Sequence, residues 1–235
     1  MGVLPGLGCA GLSRGKAKAT YAGSKTSTTS ATSVTHTGVS IGTADAGRYV
    51  VVVLGHRNVS GTSNFINNIT VGGISCNPIA ARQQGNAADD PICEIWVSTS
   101  PVPTGTTADI VVDYNGINDR HCVAAYSVTG IQSRSLYSTT NAIDNGTGSL
   151  SASHTKREGG CTIVGCVYET GSGTNAVTFS GAEIVEDAQV QVASTTMNMA
   201  FASASDTTGA TITVGATASA NNQSDVMCVV SFYPG

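Results

Sequence analysis

Four histidines, His36, His56, His121 and His154, are the residues of this 235-residue chain best suited to proton transfer or metal binding. None is spaced as HExxH, HxxEH or HxH, so no metal centre is predicted from them. No GxSxG elbow occurs, and in so serine-rich a chain no Ser/His/Asp order stands out. The carboxylates form local clusters, Asp89 with Asp90 and Glu183 with Glu186 and Asp187. A glycosidase holds two carboxyl groups about 5–10 Å apart, a distance that sequence does not supply, and solvated loop acids are the simpler reading. The segment DYNGIND (113–119) places Asp113, Asn115 and Asp119 near one another but lacks the glycine spacing and closing Glu of an EF-hand. GSGTN (171–175) lacks the GK[ST] ending of a phosphate loop. Four N-x-[ST] sequons begin at Asn58, Asn68, Asn145 and Asn222, as expected by chance at this composition. No catalytic residue, cofactor or metal ligand is therefore expected, and no enzymatic step.

The seven cysteines, Cys9, Cys76, Cys93, Cys122, Cys161, Cys166 and Cys228, are odd in number, so pairing within one chain leaves at least one over. No CxxC occurs, which argues against zinc. Cys122 and Cys228 sit within apolar strand-like runs and Cys93 begins one, so buried thiols acting as small hydrophobes are one reading. The other is that Cys9, on an exposed arm, or Cys76, in a loop, links subunits.

These residues must be carried by short β-elements. Residues 1–30 are rich in Gly, Ser and Thr, with Arg14, Lys16, Lys18 and Lys25 scattered among them, and read as an extended arm. From Val34 onward the pattern is a dozen or so strands punctuated by turn residues, over 34–41, 48–56, 65–75, 92–100, 108–114, 121–130, 149–153, 160–169, 176–180, 182–192, 196–203, 210–217 and 226–233. RYVVVVLGH is apolar on both faces, as in a strand covered on both sides. PVPTGT (101–106) must turn, because proline cannot donate to a ladder, and Asn115-Gly116 predicts a type I′ hairpin. Trp96, the sole tryptophan, falls on a strand as a candidate packing anchor. No amphipathic helical period with caps stands out, although VEDAQVQVAS has some helical propensity. The expected architecture is an all-β, jelly-roll-like antiparallel β-sandwich at 31–235 behind an arm at 1–30.

Composition narrows the role. With 11 basic and 15 acidic side chains and a net charge of −4, the chain lacks the basic footprint of a nucleic-acid binder. It has no run of 18 apolar residues that could span a membrane. The opening MGVLPGLGCAGLSRGK reaches its first basic residue only at Arg14, after the apolar part, so neither a secretory nor a lipoprotein signal is read there. Only 11% of residues are charged while Ser and Thr number 56. A domain so poor in charge suits an assembly, where neighbours cover much of the surface.

The segments VSIGTADAGRYVVVVLGHR (39–57), ITVGGISC (69–76), EIWVSTSPVPTGTTADIVVDY (94–114), VAAYSVTGIQS (123–133) and the ending VVSFYPG (229–235) resemble a β-sandwich family found among the structural genes of tailed bacteriophages and prophages. There an IGTAD-x-x-R turn leads into a valine strand, a VPTGT-x-ADIVV corner follows a tryptophan strand, and Y-x-VTG closes the sheet. The resemblance spans most of 34–235, and this chain departs from it in its high cysteine number. It implies a virion structural protein, assembled in the host cytoplasm: a head decoration, fibre, collar or tail accessory. Such a protein would self-associate, with a trimer favoured, and contact major capsid or neck and tail proteins. Intersubunit disulfides, chiefly through Cys9, would then serve as staples once the particle leaves the cell. The rival reading is a carbohydrate-binding module for host-surface glycans, with Tyr114, Tyr137 and Tyr168 as ring-stacking candidates in or near loops. A second rival is a glycan depolymerase using loop acids such as Asp89, Asp90 and Asp119.

Overall fold

A computed structural model describes residues 15–58, 65–85, 90–170, 176–192, 197–219 and 222–235. These form an all-β, antiparallel, sandwich-like fold, as the strand rhythm predicts. No helix among the described residues is long and apolar enough to cross a membrane.

The first layer is a rolled sheet organised by one long strand, β7 (Thr107–Thr129). Along one edge of β7 run β1 (Lys18–Ser27) and then β2 (Ala31–Ser40). Along its other edge run β3 (Tyr49–Asn58) and then β4 (Ile66–Val71). Strands β5 (Ile74–Gln83) and β6 (Pro91–Ser98) bridge β4 back to β3, so the path β7–β3–β6–β5–β4–β7 closes a small barrel. Closure leaves the strands of this ring with ladder partners on both sides, which removes the hazard of open edges.

Behind the barrel lies a five-stranded sheet in the order β12-β13-β10-β15-β8, and behind that a three-stranded sheet, β11-β14-β9. The middle sheet comprises β8 (Ile131–Asp144), β10 (Cys161–Thr170), β12 (Val185–Gln191), β13 (Met197–Ser205) and β15 (Asn222–Pro234). The outer sheet comprises β9 (Ser149–Thr155), β11 (Val177–Ser180) and β14 (Thr211–Ala218).

Period-two alternation sorts the apolar side chains into three cores. On β3, Val50, Val52 and Leu54 point into the barrel with Ile69, Trp96, Ile110 and Val123, whereas Val51 and Val53 point at the middle sheet. On β15, Val226, Cys228 and Val230 face the barrel, and Met227 and Val229 face the outer sheet. The central strands of the middle sheet, β13, β10 and β15, are therefore buried on both faces, which explains why they read as near-continuous apolar runs.

Three local expectations differ from what forms. Lys18–Ser27, expected within an extended arm, is a strand paired with His121–Thr129 of the same chain; Ala17 just before it and Ala19 within it are buried against the sheet. Asn115-Gly116 makes no hairpin. Gly116 is not among the positive-φ residues that a type I′ turn requires, and the strand continues through it. The local signal marks a bulge instead: Ala31 pairs with Asn118 while Ser33 pairs with Asp113, so residues 114–117 stand opposite Thr32 alone where β7 bends. Finally, Ile131–Asp144, not expected to be regular, is a 14-residue strand. Its many Ser, Thr and Asn residues mask it, and its pairing with the strongly apolar β15 creates it. The segment with some helical propensity, VEDAQVQ, is strand β12.

Candidate functional site

The two ends of β3 carry the densest polar structure in the barrel. At its start, Arg48 is fully buried. Its Nε donates to the Val102 carbonyl at 2.8 Å. Nη1 donates to the carbonyls of Ile41, Gly42 and Thr43, and Nη2 to those of Thr104 and Gly105. The planar guanidinium thus ties the turn after β2 to the Pro-rich turn after β6. Gly42 and Gly105 hold φ of 81° and 72°, which aims their carbonyls inward at no steric cost. The IGTAD-x-x-R and VPTGT segments, far apart in sequence, are the two halves of this clamp.

At the far end of β3, the register places His56 opposite Ile92 of β6 and His121 of β7. His56 Nε2 lies 3.2 Å from Glu94 Oε1 and its Nδ1 lies 3.2 Å from Asn118 Oδ1. Glu94 also accepts from the Ile66 backbone N–H at 2.9 Å and from Trp96 Nε1 at 3.0 Å. His121 Nε2 faces two carbonyls, Thr29 at 2.9 Å and Asn118 at 3.1 Å, so Nε2 bears the proton. Its Nδ1 then accepts from the Tyr114 hydroxyl at 2.8 Å. The Tyr114 ring packs between those of His56 and His121, with centroids 5.0 and 4.9 Å away. Burial, with the nearby His56 charge opposing protonation, lowers His121 to about 4 despite its carbonyl partners and Asp119. Burial likewise lowers His36 to about 4, aided by His121 and Lys25.

This cluster has the groups for general acid–base work, but its geometry directs them inward. His56, Asn118 and His121 are 0% exposed, Glu94 2% and Tyr114 4%. A general base must reach the substrate proton within about 2.6–3.2 Å, and here both nitrogens of His56 and of His121 already face protein atoms. The arrangement holds β3, β6 and β7 and the β1–β2 connection in register.

A second histidine site lies between the middle and outer sheets, where His154 Nε2 contacts Ser231 Oγ at 2.8 Å and Ser138 Oγ at 3.2 Å. Ser231 in turn contacts Thr162 Oγ1 at 2.7 Å. Burial lowers His154 to about 4. Ser231 is 1% exposed, so this serine–histidine contact is enclosed in the fold.

The other sequence candidates fall as follows. Trp96 is 4% exposed inside the barrel, its indole bound to Glu94. Cys76 is on strand β5 rather than in a loop, is 6% exposed, and burial pushes its thiol up to about 12. Cys9 and Asp89 lie outside the described residues. Tyr114 and Tyr168, expected in or near loops, lie on β7 and β10 and are buried, so neither offers a ring face to a sugar. Tyr137, on β8, is half-buried and packs edge-on to Tyr233, with centroids 5.1 Å apart. It borders a shallow hollow of about 310 Å³ shared with Thr155, Arg157, Glu158 and Thr211. Asp119 pairs with Arg57, at 3.1 Å from Nε and 2.5 Å from Nη2. Asp113 accepts from Ser33 Oγ at 2.6 Å, which separates its role from that of Asp119. Asp90 lies beside Gly85 in the β5–β6 connection. Among the described residues no three His, Cys, Asp or Glu side chains gather as a metal site.

Sequence reading missed both Arg48 as a hub and the His56–Glu94–His121 cluster. The first had a signal in the conjunction of an arginine with two glycine-containing turns. The second had only the alternation that puts His56 on the same face as Val50, Val52 and Leu54. No protein-family model, curated protein or solved structure matches the chain. The class that fold and sites define is a layered all-β domain whose Arg48 and His56 clusters hold its strands.

Proposed function

We propose that this protein is a non-enzymatic structural component of a tailed-bacteriophage particle. It would be a head decoration, fibre or collar/tail accessory that self-associates, with a trimer favoured, and docks on capsid or neck–tail proteins. One observation carries the reading. Two of the motifs that carry the resemblance, IGTADAGR and VPTGT, meet in space as a single unit around the Arg48 guanidinium. Motif residues that build one buried clamp behave as the signature of a scaffold rather than of a reaction centre. The charge-poor, Ser/Thr-rich composition supports the same reading, since a surface of that kind suits burial against neighbours. The test is peptide mass spectrometry of purified particles, joined to native mass of the isolated protein with and without reductant. Stoichiometric presence in particles and a discrete oligomer are expected. Absence from particles, with a monomer under both conditions, would overturn the proposal.

A second reading, a glycan-binding module, keeps one of its three tyrosines. Tyr137 stands beside Arg157 and Glu158, a planar ring next to groups able to pair with vicinal hydroxyls. Glycan-array binding that vanishes in Tyr137→Ala would favour it.

A further inference from the structure

The contact between the barrel and the middle sheet holds two thiols, one from each layer, at a place where the layers come unusually close. On the barrel, the register aligns Cys93 of β6, Gly55 of β3 and Cys122 of β7 in one row. On the middle sheet it aligns Phe201 of β13, Gly165 of β10 and Cys228 of β15. Each row has a glycine at its centre, and in both the missing side chain is what admits the opposite layer. A Cβ on Gly55 would lie 2.2 Å from Met199 Sδ. A Cβ on Gly165 would lie 2.2 Å from Val53 Cγ1 and 3.3 Å from Cys93 Sγ. Sheets that pack face to face ordinarily stand about 10 Å apart, and two central glycines let these backbones approach.

The thiols meet in that gap. Cys93 Sγ reaches across to the Gly165 carbonyl at 3.4 Å, and Cys228 Sγ reaches back to the Cys93 carbonyl at 3.3 Å. Gly165 is the ladder partner of Cys228, so each thiol lies against the row that carries the other. Neighbouring cysteines are held differently: Cys161 pairs across its ladders with Ser205 and Phe232, and Cys122 with Thr26 and Gly55. Cys93 and Cys122 have the whole of β3 between them, about two strand spacings.

We propose that Cys93 and Cys228 are a disulfide site, closing an intramolecular bond that pins the barrel to the middle sheet when the chain folds under oxidising conditions. The oxidant is a low-molecular-weight disulfide such as oxidised glutathione. The Cys93 thiolate attacks it, forming a mixed disulfide and releasing one glutathione thiolate. The Cys228 thiolate then attacks the Cys93 sulfur and releases the second. Two cysteine thiols are oxidised, one glutathione disulfide is reduced to two glutathiones, and the two cysteine protons pass to the departing thiolates. Both cysteines are 0% exposed in the closed fold, so exchange takes place before the layers meet, and the finished bond is shielded from reductant. This site is independent of the functional reading above and differs from an intersubunit staple in leaving the chain monomeric on a denaturing gel.

The experiment is refolding of the full chain in a glutathione redox buffer, followed by thiol counting in denaturant and non-reduced peptide mapping. The expected product has lost two of its seven thiols. It is lighter by two hydrogens, and contains a linked peptide pair bearing Cys93 and Cys228. Its thermal midpoint rises by about 10 °C over the reduced chain, the scale for a cross-link closing a long loop. Cys122→Ala keeps the linked pair, and Cys93→Ala or Cys228→Ala removes it. Refolded wild-type chain with Cys93 and Cys228 both free, or joined to other cysteines, would overturn the proposal whether or not the variants fold.

Discussion

The two ends of β3 solve one problem, the burial of polar groups inside a barrel, in opposite ways. At the Arg48 end a single side chain serves six backbone carbonyls from two turns. At the His56 end five side chains, His56, Glu94, Asn118, Tyr114 and His121, share the work with few contacts each. A hub concentrates the consequence of a mutation in one residue. A distributed network spreads it, and couples it to protonation because its members titrate. The hub is permanently charged, so its strength does not depend on pH in the ordinary range.

The largest expected effect breaks the hub. Arg48→Ala leaves six inward-facing carbonyls without their donor, and a destabilisation of about 4 kcal/mol or more is expected. Chemical denaturation reads it directly, as a fall in midpoint without a change in slope if the fold is otherwise kept. Arg48→Lys should recover only part of the loss, since an ammonium has three donors and no planar fork. Full recovery by lysine would mean that charge alone, rather than the fork, closes the barrel.

Acid should weaken the other end. His36 and His121 titrate near 4 in the folded chain because burial disfavours their charged forms, against about 6.5 when unfolded. A group with a depressed folded pKa leaves the unfolded state holding more protons, so stability is greatest above pH 6.5 and declines as pH falls toward 4. At pH 5 the expected loss is about 2 kcal/mol per histidine. His154, between the outer layers, adds to the same window. Denaturation midpoints measured from pH 7.5 to 4.5 check this. Replacing His121 with a neutral residue should flatten the curve even where it lowers the plateau, and an unchanged slope would refute the assignment.

Next in size is a change of one atom within the network. Glu94 receives Ile66 N–H and His56 on one oxygen and Trp96 Nε1–H on the other. In Glu94→Gln either orientation of the amide points its NH2 at one of those backbone or indole donors. An expected loss of about 1–3 kcal/mol follows from the donor left unpaired. Adding Trp96→Phe removes the indole donor, so the double variant should be less unstable than the sum of the singles. Strict additivity would show that the two do not share a bond.

The amino-acid sequence carries part of this contrast in its local pattern. The valine run of β3 announces a strand buried on both faces. Arg48 was half legible: its turn partners stand within seven residues on one side, but its link to the Val102–Gly105 turn crosses more than fifty residues. The His56 cluster joins residues up to 92 positions apart, and alternation says which face a residue takes, never which strand lies beside it. Asn115-Gly116 misleads because the same residues that permit a turn also permit a bulge, and the choice belongs to the neighbours β2 and β4. Cys76 and the tyrosines Tyr114 and Tyr168 were misplaced for a related reason. A short apolar or aromatic residue among polar ones reads as a loop until a second layer covers it.

The smallest effect lies just outside the network and tests where its boundary falls. Arg57 and Asp119 follow and precede the two inward histidines, and their side chains are 12% and 27% exposed. The pair is two-pronged, Nε and Nη2 each meeting one carboxylate oxygen. It is partly buried at the edge of the network, and where water reaches such a contact, screening and the entropy of long side chains leave about 0.2–1 kcal/mol. Asp119→Ala should therefore cost less than about 1 kcal/mol, and the difference from wild type should shrink as salt is raised from low to molar concentration. A salt-independent loss above about 2 kcal/mol would place Asp119 inside the buried network, coupled to His121 two residues further on, and would extend the distributed end of β3 to its surface.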